Sequence, residues 1–219
     1  MESRRLTDQQ FADLVTLRYE LRGIEFKGIR PRTDRLFFAR VARACLGMAN
    51  LRDGGRVVIG VDERGGAFDP VGLSDTDLDT WRYDDVAAGL ASYADPALSF
   101  DLHIHEYQGK QFIVLEVHEF DDLPVLCKMG YTDYEAKQPV LRAGACYVRS
   151  RRKPETSEIP SQAEMRELLD LAIEKGLRRF LARARAVGLE LPGQAPSGDR
   201  ERFERQLRDV EGNRDGTAN

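Results

Sequence analysis

The sequence predicts an α/β (α+β) protein with a largely antiparallel sheet flanked by helices and a C-terminal helical extension. Three observations predict it. The stretch Val57 to Val61, entered from Gly54-Gly55, is apolar on both faces, as a central strand in a covered sheet must be. The segments "LSFDLHIHEY" and "QFIVLEVHEF" alternate around Gln108-Gly109-Lys110 and read as an antiparallel hairpin. Apolar residues at helical spacing precede the central strand and return from Ser161 onward.

The elements follow in order. Thr7-Asp8-Gln9-Gln10 reads as a capping box, and Phe11, Leu14, Val15, Arg18 and Leu21 carry a helix that Gly23 stops. Ile24 to Lys27 is a short strand with Ile24 and Phe26 on one face and Glu25 and Lys27 on the other. Thr33 or Asp34 caps a helix with Leu36, Phe37, Val41, Ala44, Cys45 and Met48 on one stripe. "DERGGAFDPVG" is a loop or hairpin, and Trp81 to Ala94 a helix ended before Pro96. Pro124 to Lys128 and "ACYVRS" are short strands. Met165, Leu168, Leu169, Ala172 and Ile173 form a helical stripe. The expected division is a domain over 1–160, a helix over 161–191 packing on it, and a linker, short charged helix and flexible tail over 192–219.

Composition narrows the function classes. With 42% hydrophobic and 32% charged residues, the 219-residue chain has enough apolar material for a core. No run is long enough to span a membrane, and "MESRRLTDQQ" lacks the apolar centre of a secretory signal. Cys45, Cys127 and Cys146 are odd in number and far apart, which suggests reduced thiols in a cytoplasmic protein. The net charge of -4 argues against generic polyanion binding by the whole surface, though one face can still be basic.

Two constellations carry chemistry. The first is acidic. Glu20 and Glu25 in "YELRGIEFKG" flank a glycine turn, and the apolar strand ends in Asp62-Glu63. If the two strands lie side by side, three carboxylates can converge at one edge. Such a group is costly without a divalent cation or a shared proton. Lys27, on the face of Glu25, can steady a phosphate or neutralise that acid. The bland alternative is salt bridging to nearby Arg and Lys. The second is basic: "RAGACYVRSRRK" holds five basic residues and no acid. Arg149, Arg151, Arg152 and Lys153 can grip a phosphate backbone, Arg30, Arg32 and Arg35 can extend the patch, and Tyr147 can stack on a base if exposed. The alternative is a solvated charged face.

Gly54-Gly55 reads first as a tight turn, and no GxxxxGK[ST] phosphate loop exists. His103 and His105 share a strand face with no evident third ligand, so an exposed hairpin face is the simpler reading. Trp81 is expected to seat its helix.

The order of "ELRGIEFKG", "MANLRDGGRVVIGVDERG", "DPVG" and "CYVRSRRKPETSE" resembles the AlbA-type Schlafen domain over roughly residues 18 to 160. The resemblance implies a mixed sheet with flanking helices. It further implies a metal-dependent endoribonuclease acting on structured RNA such as tRNA, with Mg or Mn held by Glu20, Glu25 and the acid at the strand end. Glu63 stands where the family pattern has its second aspartate, one methylene longer, and Asp62 is the first. The alternatives are a non-catalytic DNA- or RNA-binding regulatory module and a protein–protein module. Larger Schlafen proteins use two lobes as a clamp, so a homodimer is expected of a one-lobe chain.

Overall fold

The computed structural model describes residues 6–16, 21–151 and 155–189. Contacts divide the chain into two compact units, Met1–Ile173 and Glu174–Asn219.

The first unit opens with helix α1 (Asp8–Thr16), strand β1 (Ile24–Lys27) and helix α2 (Arg35–Ala49). The capping box before α1 forms, with Thr7 N–H donating to Gln10 Oε1 and Gln10 N–H to Thr7 Oγ1. Asp34 is the cap of α2, its carboxylate accepting from Phe37 N–H at 3.0 Å. The chain then runs through β2 (Gly55–Ile59), β3 (Val61–Arg64), β4 (Ala67–Pro70), α3 (Asp75–Leu78), α4 (Tyr83–Tyr93), β5 (Ala94–Asp95), β6 (Phe100–Tyr107) and β7 (Lys110–Val117). Short strands follow: β8 (Leu126–Cys127), β9 (Tyr131–Asp133), β10 (Gln138–Leu141), β11 (Tyr147–Arg149) and β12 (Thr156–Glu158). Helix α5 (Gln162–Ala186) comes last.

The main sheet has the order β1-β2-β7-β6. β1 and β2 are parallel, joined by the α2 crossover, while β2, β7 and β6 are antiparallel, so the sheet is mixed. β2 is central, as its sequence requires. Val57 and Ile59 enter a core under α2, and Val58 enters a second core with Phe11, Val15, Ile24 and Phe26 on the α1 side. At Gly54 (φ 71°) a Cβ would lie 2.1 Å from Val117 O, so the glycine pair is a turn pressed against β7. The "DERGGAFDPVG" stretch is the β3–β4 hairpin.

Covering both sheet faces corrects one expectation. His103 and His105 are not on a simple exposed face. His105 is 7% exposed and packs on the Phe11 ring at 4.7 Å, whereas Ile104, expected inward, is 53% exposed. Phe100 and Leu102 do pack in the α2-side core, so the alternation and its sense hold there, but α1 also covers the histidine face at His105 while Ile104 is left in the open.

On α5, Leu168 and Leu171 are buried in the α2-side core, while Met165, Leu169 and Ile173 from the expected stripe are exposed. In the second unit the helix continues to Ala186, with Arg178 paired to Glu174 one turn back. The expected linker and charged helix over 192–219 lie outside the described residues. No helix among the described residues is long and apolar enough to cross a membrane.

Candidate nucleic-acid interface

The parallel pairing aligns Glu25 with Val57 and Lys27 with Ile59. Alternation then buries Ile24 and Phe26 and leaves Glu25 and Lys27 on the other face. That face lines a cleft of about 470 Å³. Arg40, Arg43 and Ala44 on α2 form one wall, Asp133, Ala136 and Gln138 to Val140 of the β9–β10 hairpin another, and Glu155 to Ser157 the third.

Glu25 is held by two cations. Lys27 Nζ donates to Oε1 and Arg149 Nη1 to Oε2, and the carboxylate side chain is 13% exposed. Arg149 is fully buried. Its Nε donates to Arg22 O at 2.8 Å, its Nη2 to Ile24 O at 2.9 Å, and its Nη1 also reaches Thr156 Oγ1 at 3.3 Å. Arg22 Nε donates back to Arg149 O at 3.0 Å. The guanidinium therefore ties β11 to the turn before β1 and aims the Glu25 carboxylate. Arg149 grips no phosphate backbone, which corrects its expected role: a fully enclosed side chain cannot reach an external ligand.

Tyr147 is corrected in the same way. It is 2% exposed, and its hydroxyl accepts from Arg142 N–H at 2.9 Å, so it offers no ring face to a base. Burial raises its phenol pKa. Arg151 is exposed, but its Nε donates to Glu167 at 2.9 Å. Glu167 also takes both Nη groups of Arg22 at 2.8 Å, and these arginines, Arg22 foremost, pull its carboxyl down to about 2. Arg152, Lys153 and Glu20 lie outside the described residues.

In the first loop, Arg30 and Arg35 are exposed. Arg32 is pinned instead, its guanidinium 4.8 Å over the Phe38 ring and donating to Asp85 O. Trp81 seats its segment, donating from Nε1 to Arg30 O with its ring against Phe37 and Phe38. Asn50 is a buried staple: its amide spans Val125 N, Val125 O and Tyr147 O at 2.8 to 2.9 Å.

The strand-end acids do not line the cleft. Asp62 Oδ1 lies against the Gly28 backbone, 2.6 Å from where a Cβ would be, and Oδ2 accepts from Arg64 at 3.2 Å. Glu63 alternates with Asp62 on β3, so it shares the face of Val61, and it is exposed. Among the described residues no three His, Cys, Asp or Glu side chains assemble as a metal group. Of the three expected ligands, Glu25 is paired to Lys27 and Arg149, and Glu63 lies away from the cleft.

Sequence reasoning missed Arg40 and Arg43. Arg40 Nη2 donates to the buried Asp133 carboxylate at 3.2 Å. Arg43 Nη2 donates to Thr156 O at 2.9 Å, and its guanidinium lies 5.4 Å over the Tyr147 ring. Arg43 Nε and Ser157 Oγ are buried and have no hydrogen-bond partner among the described residues. The available signal was helical spacing: positions 40, 43 and 44 lie beside the apolar stripe of α2 on one face.

The Schlafen, AlbA_2 family model matches residues 20–156, more than half of the chain, and the chain belongs to that family. No functionally curated protein matches it. Among solved structures it is similar to the DIP2311 protein of Corynebacterium diphtheriae, at 14% identity and a TM-score of 0.40 over 63% of this chain. The match spans about a fifth of that structure's length, 22%. It is also similar to the N-terminal domain of a RecG-related protein from Nitrosomonas europaea, at 28% identity and a TM-score of 0.39, covering 50% of this chain and 72% of that one.

Proposed function

We propose that this chain binds RNA through the Glu25 cleft, with Lys27, Arg40 and Arg43 donating to the phosphate backbone. Family membership supports a nucleic-acid-related function. The observation that carries the reading is the pair of buried, unpartnered donors on cleft-lining residues, Arg43 Nε and Ser157 Oγ. A buried donor without an acceptor costs about 1–3 kcal/mol, so an acceptor-rich group such as a phosphate entering the cleft recovers that cost. Among the described residues Arg43 forms no salt bridge, its guanidinium meeting Thr156 O and the Tyr147 ring, and the Glu25 charge is offset by Lys27 and Arg149.

The experiment is anisotropy titration of labelled tRNA and of a DNA of matched length at several salt concentrations, beside Arg40→Ala/Arg43→Ala. The expected result is tighter binding to tRNA, weakening with salt, and lost in the double variant while its unfolding transition stays cooperative. Salt-insensitive binding, or a double variant equal to the parent, overturns the cleft. The finer reading is a tRNA endoribonuclease with Mg or Mn held by Glu20, Glu25 and Glu63, and it rests on the resemblance. A Mn arm with Glu20→Ala/Glu25→Ala tests it, because cleavage that survives the substitutions refutes that site. The proposed homodimer is checked by light scattering on the same samples.

A further inference from the structure

Tyr134 is 85% exposed, the highest of the exposed large hydrophobic side chains among the described residues. It opens the turn between β9 and β10, and that turn is held in place. Asp133 Oδ1 accepts from the backbone N–H groups of Glu135 and Ala136, each at 3.1 Å. The same carboxylate accepts from Arg40 through Oδ2, and Asp133 is only 7% exposed. One buried side chain thus orders the turn and fixes a cationic wall of the cleft. Ala136 and Gln138, on the far side of the turn, line that cleft.

An aromatic ring displayed on an ordered turn beside phosphate-directed donors has the makings of a stacking platform. Base stacking needs an open ring face and tolerates any base, and Tyr147, enclosed in the core, supplies none. We propose that Tyr134 stacks on one unpaired base next to the phosphate held in the cleft. The ligand is then RNA with a single-stranded loop or end. In an uninterrupted A-form duplex the bases are paired and stacked on each other and cannot reach a ring on the protein surface. This inference rests on the cleft reading above.

The test is binding of a fluorescein-labelled oligoadenylate, and of its duplex with oligouridylate, to the parent chain, Tyr134→Ala and Tyr134→Trp. A second oligoadenylate carries 2-aminopurine, whose fluorescence is quenched on stacking. The expected result is about tenfold weaker single-strand binding by Tyr134→Ala, the scale of one lost base–aromatic stack. Duplex binding stays unchanged, Tyr134→Trp restores affinity, and 2-aminopurine quenching disappears only in Tyr134→Ala. If Tyr134→Ala binds the single strand as the parent does, or loses both ligands equally, the platform is refuted. In that case salt-sensitive, Arg40- and Arg43-dependent binding leaves the cleft standing. A parent chain that binds neither RNA overturns both. The ring is so exposed that neither substitution removes a core contact.

Discussion

The segment Tyr147 to Arg151 and the α2 pair Arg40 and Arg43 are both rich in arginine, and the fold uses them in opposite ways. In the first, Arg149 is enclosed, donating to three backbone carbonyls, to Thr156 and to Glu25. In the second, Arg40 is more than half exposed, and Arg43 keeps an unpartnered Nε in the cleft wall. The more basic stretch of sequence is structural at its centre, and the sparser one lines the open cleft. Charge density along a chain therefore says little about where charge is available. Burial and prior partners decide that.

The largest effect expected from this contrast is on stability. Arg149→Met should cost about 3–5 kcal/mol in urea unfolding, because Glu25 and several carbonyls lose a buried partner. Arg40→Ala/Arg43→Ala should cost less, about 1–2 kcal/mol, since the lost contacts are one ion pair, one carbonyl bond and one ring contact. The order reverses for RNA binding. The α2 double variant should lower the slope of log affinity against log salt by about 1.4, from two phosphate contacts at roughly 0.7 each on single-stranded RNA. If Arg149→Met unfolds normally and instead abolishes binding, the assignment of roles is wrong.

Acid sharpens the comparison next. Glu167 is pulled from 4.5 to about 2 by Arg22 and Arg151. A depressed carboxylate contributes its full stabilisation above 4.5 and loses it as pH falls toward 2. Thermal melts across that window should show a falling Tm that Glu167→Gln flattens. His105 acts in a different window. Burial lowers its pKa below 6.5, so the unfolded chain takes a proton first and stability declines as pH falls below 6.5. His105→Leu should remove that decline in the same melts. The smallest effect belongs to Arg151→Ala, because solvent screens its exposed pair with Glu167, and its urea unfolding midpoint should move least of the set.

Much of the fold was legible because it depends on local pattern. β1 was read at its observed bounds, Asp34 was one of two named caps, and the doubly apolar β2 was placed at the centre. The helix expected over Trp81 to Ala94 begins at Tyr83, with Trp81 anchoring the approach by its bond to Arg30 O. Strands β9, β10 and β12 gave no readable alternation, since YTD, QPVL and TSE hold too few alternating apolar residues to mark a buried face. The lining of the candidate cleft was legible only in part. Glu25 and Lys27 were found from motif and alternation. Arg40, Arg43, Asp133 and Tyr134 were not, because their relation depends on a hairpin some ninety residues from α2.

The sequence alone determined the strand and helix types, the central place of Val57 to Ile59, the face shared by Glu25 and Lys27, and the family. These follow from periodicity, from glycine and capping chemistry, and from an ordered set of motifs. Tertiary structure decided which of the charged residues are free to act. It enclosed Arg149 and Tyr147, set His105 against Phe11, turned Glu63 out, and brought the β9–β10 turn beside Arg40. The physical reason is that desolvation and pairing are properties of the packed chain. A guanidinium has the same chemistry at 149 and at 43, and only its surroundings determine whether its donors remain available.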